Sequence, residues 1–219
     1  DDMDLLEFAR GPALQVAAYI LVAGTIWRLV GILLLKKKPD FSEPRQAGGL
    51  PAALKVIYTR SFTAAPFKGA TLYPKMLAYV MHIGLFMVIF LFVPHIVFFE
   101  GFLGFDWPGL PNNVIFFAGV AAIVSGIALL VRRLTNPVLR LISNFDDYFS
   151  WFVTLLPIAT GLLMPVRMGV AYETLLAIHI LSVVLLMIWL PFGKLGHTFL
   201  VFITRGSTGM VFERRGAKT

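Results

Sequence analysis

The chain has 219 residues, of which 58% are hydrophobic and only 14% are charged. A soluble domain carries about a quarter charged residues, so this composition excludes an ordinary soluble surface and favours a membrane protein. The net charge of +7 fits basic cytoplasmic loops, and no basic patch is interleaved with aromatic residues as in a nucleic-acid-binding protein. The absence of cysteine excludes disulfides, thiolate metal sites, cysteine-ligated iron–sulfur clusters and covalently attached haem.

Five apolar segments predict an all-α integral membrane protein with five transmembrane helices in a single domain, residues 1–219. A helix needs about 20 apolar residues to cross the hydrocarbon core. The fourth segment contains Pro157 and the fifth contains Pro191, which membrane helices tolerate when neighbours satisfy the freed carbonyls. A polar loop between the first two spans predicts an irregular cap with one short helix near 52–59. The predicted spans are 13–35, 76–99, 114–131, 148–165 and 175–203.

Basic residues are concentrated on one side of the predicted membrane domain. They lie in the loop 36–75, in the loop after the third span and in the C-terminal tail, whereas the other side holds only Arg10 and Arg167. The positive-inside rule therefore predicts an N-terminus outside and a C-terminus in the cytoplasm. The first residues are acidic, unlike the basic start of a signal peptide, so no cleavable signal is predicted.

All four histidines belong to two predicted spans, His82 and His95 to the second, His179 and His197 to the fifth. Ionisable residues inside a membrane are costly and usually functional, and imidazole is a preferred axial ligand of haem iron. Because the two spans run in opposite directions, matching depths pairs His82 with His197 near the cytoplasm and His95 with His179 near the outside. The pattern predicts two stacked bis-histidine haem sites.

Helical phase agrees with this arrangement for the two histidines of the fifth span but not for the two of the second span. His179 and His197 are 18 residues apart, which is five whole turns, so a regular helix places them on one face. His82 and His95 are 13 residues apart, about 140° out of phase, and Pro94 offers a kink that could re-phase them. A zinc or copper site would gather its ligands at one point, whereas a proton relay stays open as an alternative.

Two segments carry a resemblance to a known family. The stretch from His179 to His197 reads HILSVVLLMIWLPFGKLGH, and the second span contains Met-His-Ile-Gly around His82. The first resembles the haem-ligating last helix of the gamma subunit of respiratory nitrate reductase, and the second is similar to the His-Ile-Gly at that family's cytoplasmic ligand. Related cytochrome b subunits occur in sulfite-reduction, heterodisulfide-reductase-like and hydrogenase complexes. In the gamma subunit of nitrate reductase the two ligands of the second span are closer together in sequence than His82 and His95 are here. This difference concerns the assignment of His95.

The resemblance implies a dihaem cytochrome b subunit of the prokaryotic cytoplasmic membrane. Electrons would pass between the quinone pool and a cytoplasmic iron–sulfur partner, with terminal catalysis in another, catalytic subunit. The implied cofactors are two haem b, an inner one on His82 and His197 and an outer one on His95 and His179. Quinol, as menaquinol or ubiquinol, would be the substrate near the outer haem, reached from the surrounding lipid.

Two cations near the cytoplasmic side are candidate partners of haem propionates. Arg28 lies inside the first span, and an intramembrane arginine needs a partner. Lys194 lies three residues before His197. Snorkelling of these long side chains to the interface explains both positions equally well.

Polar residues on the outer side are candidates for a quinol site. Tyr172 and Glu173 lie with Arg167 in the short loop before the fifth span, and Glu100 follows His95 by five residues. Quinol oxidation needs a proton acceptor and a hydrogen-bond partner near the haem edge. Interfacial loops carry tyrosine and charged residues in any case, so packing and the aromatic belt remain an alternative for them.

Two other functions stay open. A haem-free membrane anchor or assembly subunit would need no redox centre, so replacing any histidine would leave the activity of its partner intact. A transporter with a histidine relay would typically show paired repeats and broken helices around a midplane site. The sequence has no internal repeat, and the depth argument places the histidines away from the midplane.

Overall fold

The computed structural model describes residues 2–36, 41–46, 48–166 and 169–217. Over these ranges the chain is helical and has no β-strand, which confirms the all-α prediction. Short turns of π- or 3-10-helix lie at Ala9–Ala13, Ala65–Phe67 and Lys194–Gly196. The α-helices are α1 (Asp2–Phe8), α2 (Leu14–Leu33), α3 (Leu50–Ser61), α4 (Lys68–Leu91), α5 (Val93–Leu103), α6 (Asn112–Thr135), α7 (Pro137–Leu141), α8 (Phe145–Leu163), α9 (Tyr172–Trp189) and α10 (His197–Arg214).

Four helical segments of this described part are long and apolar enough to cross a membrane. They are Met3–Leu33, which joins α1, the π-turn and α2, and then α4, α6 and α9. α8 has 19 residues, with Asp146 and Asp147 in its first turn and Pro157 inside, and it is not among the four. A helical membrane protein is therefore supported, while the fifth span and the orientation stay predictions.

The predicted second span, 76–99, is divided into two helices. α4 ends just before Phe92, whose backbone is extended (φ −83°, ψ 121°), and α5 begins at Val93. Pro94 explains the break, because a proline within a helix removes a backbone donor and its ring clashes with the carbonyl four residues earlier. The regular helix is thus interrupted just before His95, and a phase calculated for an unbroken helix does not apply to this segment.

The predicted fifth span, 175–203, is also divided. α9 ends before Pro191, and after the turn Lys194–Gly196 the chain begins α10 at His197. Pro191 is fully buried, and it packs on α2 at Gly24, where a Cβ would come within 2.8 Å of the proline ring. His179 and His197 would share one helical face only on an unbroken helix. Because the helix is broken, tertiary contacts determine their positions instead.

α10 packs on α3, and neither helix of this small layer is among the four long apolar segments. α3 contains the short helix predicted near 52–59. Gly209 allows the close approach of the two helices, because a Cβ there would lie 2.6 Å from the carbonyl oxygen of Ala52. Val56 is fully buried in the same contact. The end of the predicted fifth span therefore belongs to this layer.

The longer helices form an arc in which α4 lies along α6, α6 against α8, α8 against α9, and α9 against α2. Among the described residues, α4 and α9 share no extensive backbone packing, although they carry two of the four histidines. Histidine side chains connect α4 to the start of α10 and α5 to α9.

Gly84 on α4 is expected to be intolerant of any larger residue. A Cβ at this position would lie 2.5 Å from the carbonyl oxygen of Ala118 and 3.0 Å from the Cβ of Ala122, both on α6. Gly84→Leu should therefore destabilise the protein by about 1–3 kcal/mol through overpacking, measured as a lower midpoint of thermal unfolding in detergent. Gly31→Leu on α2, where a Cβ meets nothing within 4 Å, is the matched control; equal midpoints for both variants would contradict this packing.

Candidate functional site

The tertiary structure brings together the histidine pairs that the depth argument predicts. The ring centres of His82 and His197 lie 6.2 Å apart, with 66° between the ring planes. Those of His95 and His179 lie 6.1 Å apart, with nearly parallel planes at 4°. The first pair joins α4 to the start of α10, and the second joins α5 to α9. Their role as ligands stays a prediction at this point.

All four imidazoles place Nδ1 within hydrogen-bonding distance of an oxygen. With the proton on Nδ1, the lone pair of Nε2 is left free. Metal-ligating histidines typically show this arrangement, because a hydrogen bond from the second nitrogen fixes the tautomer and the ring orientation. The four contacts are His82 to Ala78 O at 2.7 Å, His95 to Val88 O at 2.7 Å, His179 to Thr160 Oγ1 at 3.0 Å and His197 to Lys194 O at 2.9 Å.

The ring separation suits a metal ion between each pair. Imidazole nitrogens bind metals at about 2.0–2.1 Å, and each nitrogen lies about 1.1 Å from its ring centre, so a linear arrangement separates the centres by roughly 6 Å. Aromatic pairs in direct contact also span about 4.5–7 Å, so the distance alone does not distinguish the two arrangements. The common hydrogen-bonding pattern of the four Nδ1 atoms favours ligation.

A bare metal ion would lack enough protein ligands at either pair. In the part of the chain that the structure describes, no three residues of histidine, aspartate or glutamate gather at one point. A structural zinc site uses four protein ligands. Each pair by itself therefore provides two protein ligands, fewer than such a site uses.

The break between α4 and α5 places His95. The backbone of Phe92 is extended, so the carbonyls before it lose their helical donors and find other ones. Val88 O lies 2.7 Å from His95 Nδ1, and Phe90 O accepts from Trp107 Nε1 at 2.6 Å. Leu91 O accepts from Leu110 N at 2.8 Å. Because backbone groups in a bilayer must be satisfied internally, the same event that ends α4 also orients the imidazole of His95.

His179 is held by residues of α8. The hydroxyl of Thr160 lies 3.0 Å from His179 Nδ1 and 2.9 Å from Leu156 O, so it can donate to the carbonyl and accept from the imidazole. Gly161 makes room for the ring, since a Cβ there would lie 3.3 Å from His179 Cε1. Ser182 adds a contact to the Thr160 hydroxyl at 3.1 Å. The ring is half-buried between α8 and α9.

The two propionate candidates have partners within the protein. Arg28 Nη1 donates to Pro191 O at 2.9 Å and to Gly193 O at 3.1 Å, and so ties α2 to the turn after α9. The ammonium group of Lys194 forms an ion pair with Asp147 of α8. The contacts of Arg28 and Lys194 place them beside the chain that leads to His197, and their propionate role stays a prediction.

The quinol-site candidates lie on the helices that carry the outer pair. Tyr172 and Glu173 form the first turn of α9, with Tyr172 46% exposed. Glu100 is exposed on α5, the helix of His95. Arg167 lies outside the described residues. The structure thus puts these side chains on the elements that the prediction requires, while their function stays a prediction.

An acidic cluster at the start of α8 was not singled out from the sequence. Asn144 and Asp147 form a capping box, and Asp147 Oδ1 also pairs with Arg133 Nη1 at 3.0 Å. The spacing Asn144-x-x-Asp147 ahead of an apolar run is the available sequence signal, since a cap acceptor and an acid three residues later typify a helix start. The ion pairs with Arg133 and Lys194 join residues far apart in sequence, and no local pattern indicates them.

Fold and site together define a helical membrane protein that holds four histidines in two facing pairs. The chain belongs to the same family as a protein of Nitratidesulfovibrio vulgaris, to which it is 32% identical over 219 residues, 98% of this chain and 91% of that protein. That relative bears the name "Protein" alone, which assigns no activity. No protein-family model matches the chain. No solved structure matches it.

Proposed function

We propose that this protein is the dihaem cytochrome b subunit of a respiratory oxidoreductase complex, carrying electrons between quinol and a cytoplasmic iron–sulfur partner. The pairing of the four histidines carries the proposal, with ring centres 6.2 and 6.1 Å apart and every Nδ1 atom beside an oxygen. The resemblance to the gamma subunit of nitrate reductase, around His82 and from His179 to His197, supports the same function.

The residues of each pair fit a b-type haem. The two imidazoles of a pair would hold the iron through Nε2 and the porphyrin would supply the other ligands, so a pair would suffice where a bare ion needs more protein groups. Such a group supplies one-electron transfer when it is bound. Each pair joins elements that are far apart in sequence, α4 with α10 and α5 with α9.

The proposed topology places the inner pair beside the basic helical layer. His197 begins α10, which packs on α3, and the two helices carry Lys55, Arg60, Arg205 and Arg214. A cytoplasmic position of this layer agrees with the positive-inside rule. Residues 148–165, most of which belong to α8, then provide the fifth span, the N-terminus lies outside, and the membrane is the prokaryotic cytoplasmic membrane. The basic layer offers a surface for an iron–sulfur subunit of opposite charge.

In the same topology the outer pair lies near the residues suited to quinol chemistry. Quinol releases protons when it is oxidised, and a nearby carboxylate can accept them. Glu173 on α9 and Glu100 on α5 are the proposed acceptors, and Tyr172 is the proposed hydrogen-bond partner of the quinol head group. These residues extend from the helices that hold His179 and His95.

The proposal is tested first by a reduced-minus-oxidised visible spectrum of the purified chain, with haem counted per polypeptide as the pyridine haemochrome. Two b haems per chain are expected, one for each histidine pair. A folded preparation that contains no haem would reject the proposal and leave the haem-free anchor or the transporter. One haem per chain would reject the two-site form.

The ring geometry offers a way to tell the two sites apart. The imidazole planes meet at 66° in the pair of His82 and His197 and at 4° in the pair of His95 and His179. An iron held by the first pair would therefore have imidazole ligands in a different mutual orientation from an iron held by the second pair. Two distinct low-spin signals in electron paramagnetic resonance (EPR) are therefore expected from the oxidised protein, and each signal can be assigned with histidine variants.

A further inference from the structure

One residue of the turn before α10 connects the inner histidine pair to the start of α8. The carbonyl oxygen of Lys194 lies 2.9 Å from Nδ1 of His197. The backbone N–H of the same lysine donates to Oδ1 of Asp146 at 3.0 Å. A single peptide segment therefore lies between the carboxylate of Asp146 and the imidazole of His197.

Asp146 is itself held in place from two directions. The hydroxyl of Ser150, one turn further along α8, donates to Asp146 Oδ1 at 2.9 Å. The indole N–H of Trp189, the last residue of α9, donates to that hydroxyl at 2.9 Å. The acceptor for the Lys194 N–H is thus fixed both by its own helix and by the helix that precedes the turn.

His197 depends on such support more than the other three histidines do. It is exposed and is the first residue of α10, directly after the turn Lys194–Gly196. His82, His95 and His179 lie within their helices and are half-buried. Packing alone therefore constrains the ring of His197 least, and its hydrogen bond to the Lys194 carbonyl becomes the main local restraint.

We infer that Asp146 is the positioning residue of His197 and acts through the backbone of Lys194. The carboxylate fixes the Lys194 N–H, the carbonyl of that residue then accepts from Nδ1 of His197, and Nε2 is kept available for the iron. The inference rests on the proposed function, since a position matters only if His197 is a ligand. Loss of a group bonded directly to a metal ligand typically lowers the affinity of the site about 10–100-fold. Asp146 is bonded to the backbone that holds His197, one step further away, so its loss should have an effect at the low end of that range.

The test compares Asp146→Ala with Asp146→Asn in the full chain. Haem content, the two low-spin EPR signals and the two midpoint potentials are measured in detergent. Asp146→Ala should weaken haem binding at the pair of His82 and His197 by up to about 10-fold and alter the EPR signal and potential of that site alone. Asp146→Asn keeps an acceptor oxygen without its charge, so its changes at the same site should be smaller.

Asp106→Ala removes an exposed carboxylate from the loop before α6 and should leave both signals unchanged. Unaltered inner-site signals in both Asp146 variants would overturn the inference, as would an equal loss at both sites, which would indicate a general folding role. If Asp146→Ala does not accumulate, Asp146→Asn provides the test. An unaltered midpoint potential at the pair of His82 and His197 would overturn the inference, and a shift confined to that site would support it. A wild-type chain without haem would instead reject the proposed function.

Discussion

Replacing His179 with alanine is expected to reduce the haem content from two per chain to about one and to abolish the signal of the outer site. The same loss is expected for His95→Ala, because the two rings lie 6.1 Å apart and would bind one iron in the proposed function. His82→Ala and His197→Ala should instead abolish the inner-site signal. The measurement is the pyridine haemochrome count together with the EPR spectrum of each variant.

Double variants make this result decisive for the pairing. Residues that act as a unit are non-additive, so His95→Ala with His179→Ala should lose no more haem than either single change. A change across the pairs, such as His82→Ala with His179→Ala, should remove both haems. The opposite pattern, in which the cross-pair double variant keeps one haem, would contradict the pairing. Full haem content in every single variant would contradict ligation by these histidines.

Replacing Asp147 with alanine is expected to lower the free energy of unfolding by about 2–3 kcal/mol. Its carboxylate is 8% exposed and pairs with Arg133 at 3.0 Å and with the ammonium group of Lys194. It also accepts from the Asn144 N–H at 3.0 Å. Removing one partner of a buried ion pair costs about 3–5 kcal/mol, and the partial exposure of both cations reduces that figure. Thermal or denaturant unfolding in detergent measures the effect.

Two further variants separate the causes of this loss. Lys194→Met removes the cation that is 47% exposed, and exposed pairs contribute about 0–1 kcal/mol, so it should have a small effect. Asp147→Asn keeps an acceptor for the helix cap but removes the charge, so it isolates the contribution of the ion pairs. Equal stability of Asp147→Ala and the wild type would show that the cluster does not hold α8 to its neighbours.

Acid should weaken the wild type through this residue. Asp147 lies just ahead of the predicted span 148–165. Burial by itself favours the neutral acid, but the hydrogen bonds from Lys194 and Asn144 and the charge of Arg133 outweigh it and hold the pKa of Asp147 below its ordinary value. A folded pKa below the unfolded one, about 3.9, gives stability that is present above that value and lost as the pH falls through the folded pKa. In Asp147→Asn this part of the acid dependence should disappear.

Several features could be predicted from the sequence because they depend on composition or on order along the chain. Low charge and long apolar runs indicate membrane helices whatever the tertiary packing, because each span of a bilayer needs about 20 apolar residues. The short helix near 52–59 was likewise predicted from the local sequence of the loop between the first two spans. Depth pairing of His82 with His197 and of His95 with His179 needs only the opposite directions of two spans, so it does not depend on helical phase.

The tertiary structure decided how those histidines meet. The breaks at Phe92 and Pro191 depend on whether the freed carbonyls find donors, and those donors come from distant residues. Trp107 and Leu110 bind the carbonyls at the end of α4, and Arg28 binds those after α9. Helical phase does not reveal these contacts, because it relates residues only along an unbroken helix.

The partners of the charged side chains were likewise decided by the tertiary structure. Arg28 and Lys194 suggest propionate contacts when the sequence is considered alone, yet in the fold they reach carbonyls and a carboxylate of the protein. Asp146 and Asp147 look like an ordinary helix start, but the fold makes them the attachment point of the turn that carries His197. The order of the histidines along the chain therefore determined which of them pair, whereas long-range hydrogen bonds and ion pairs decided what holds them in place.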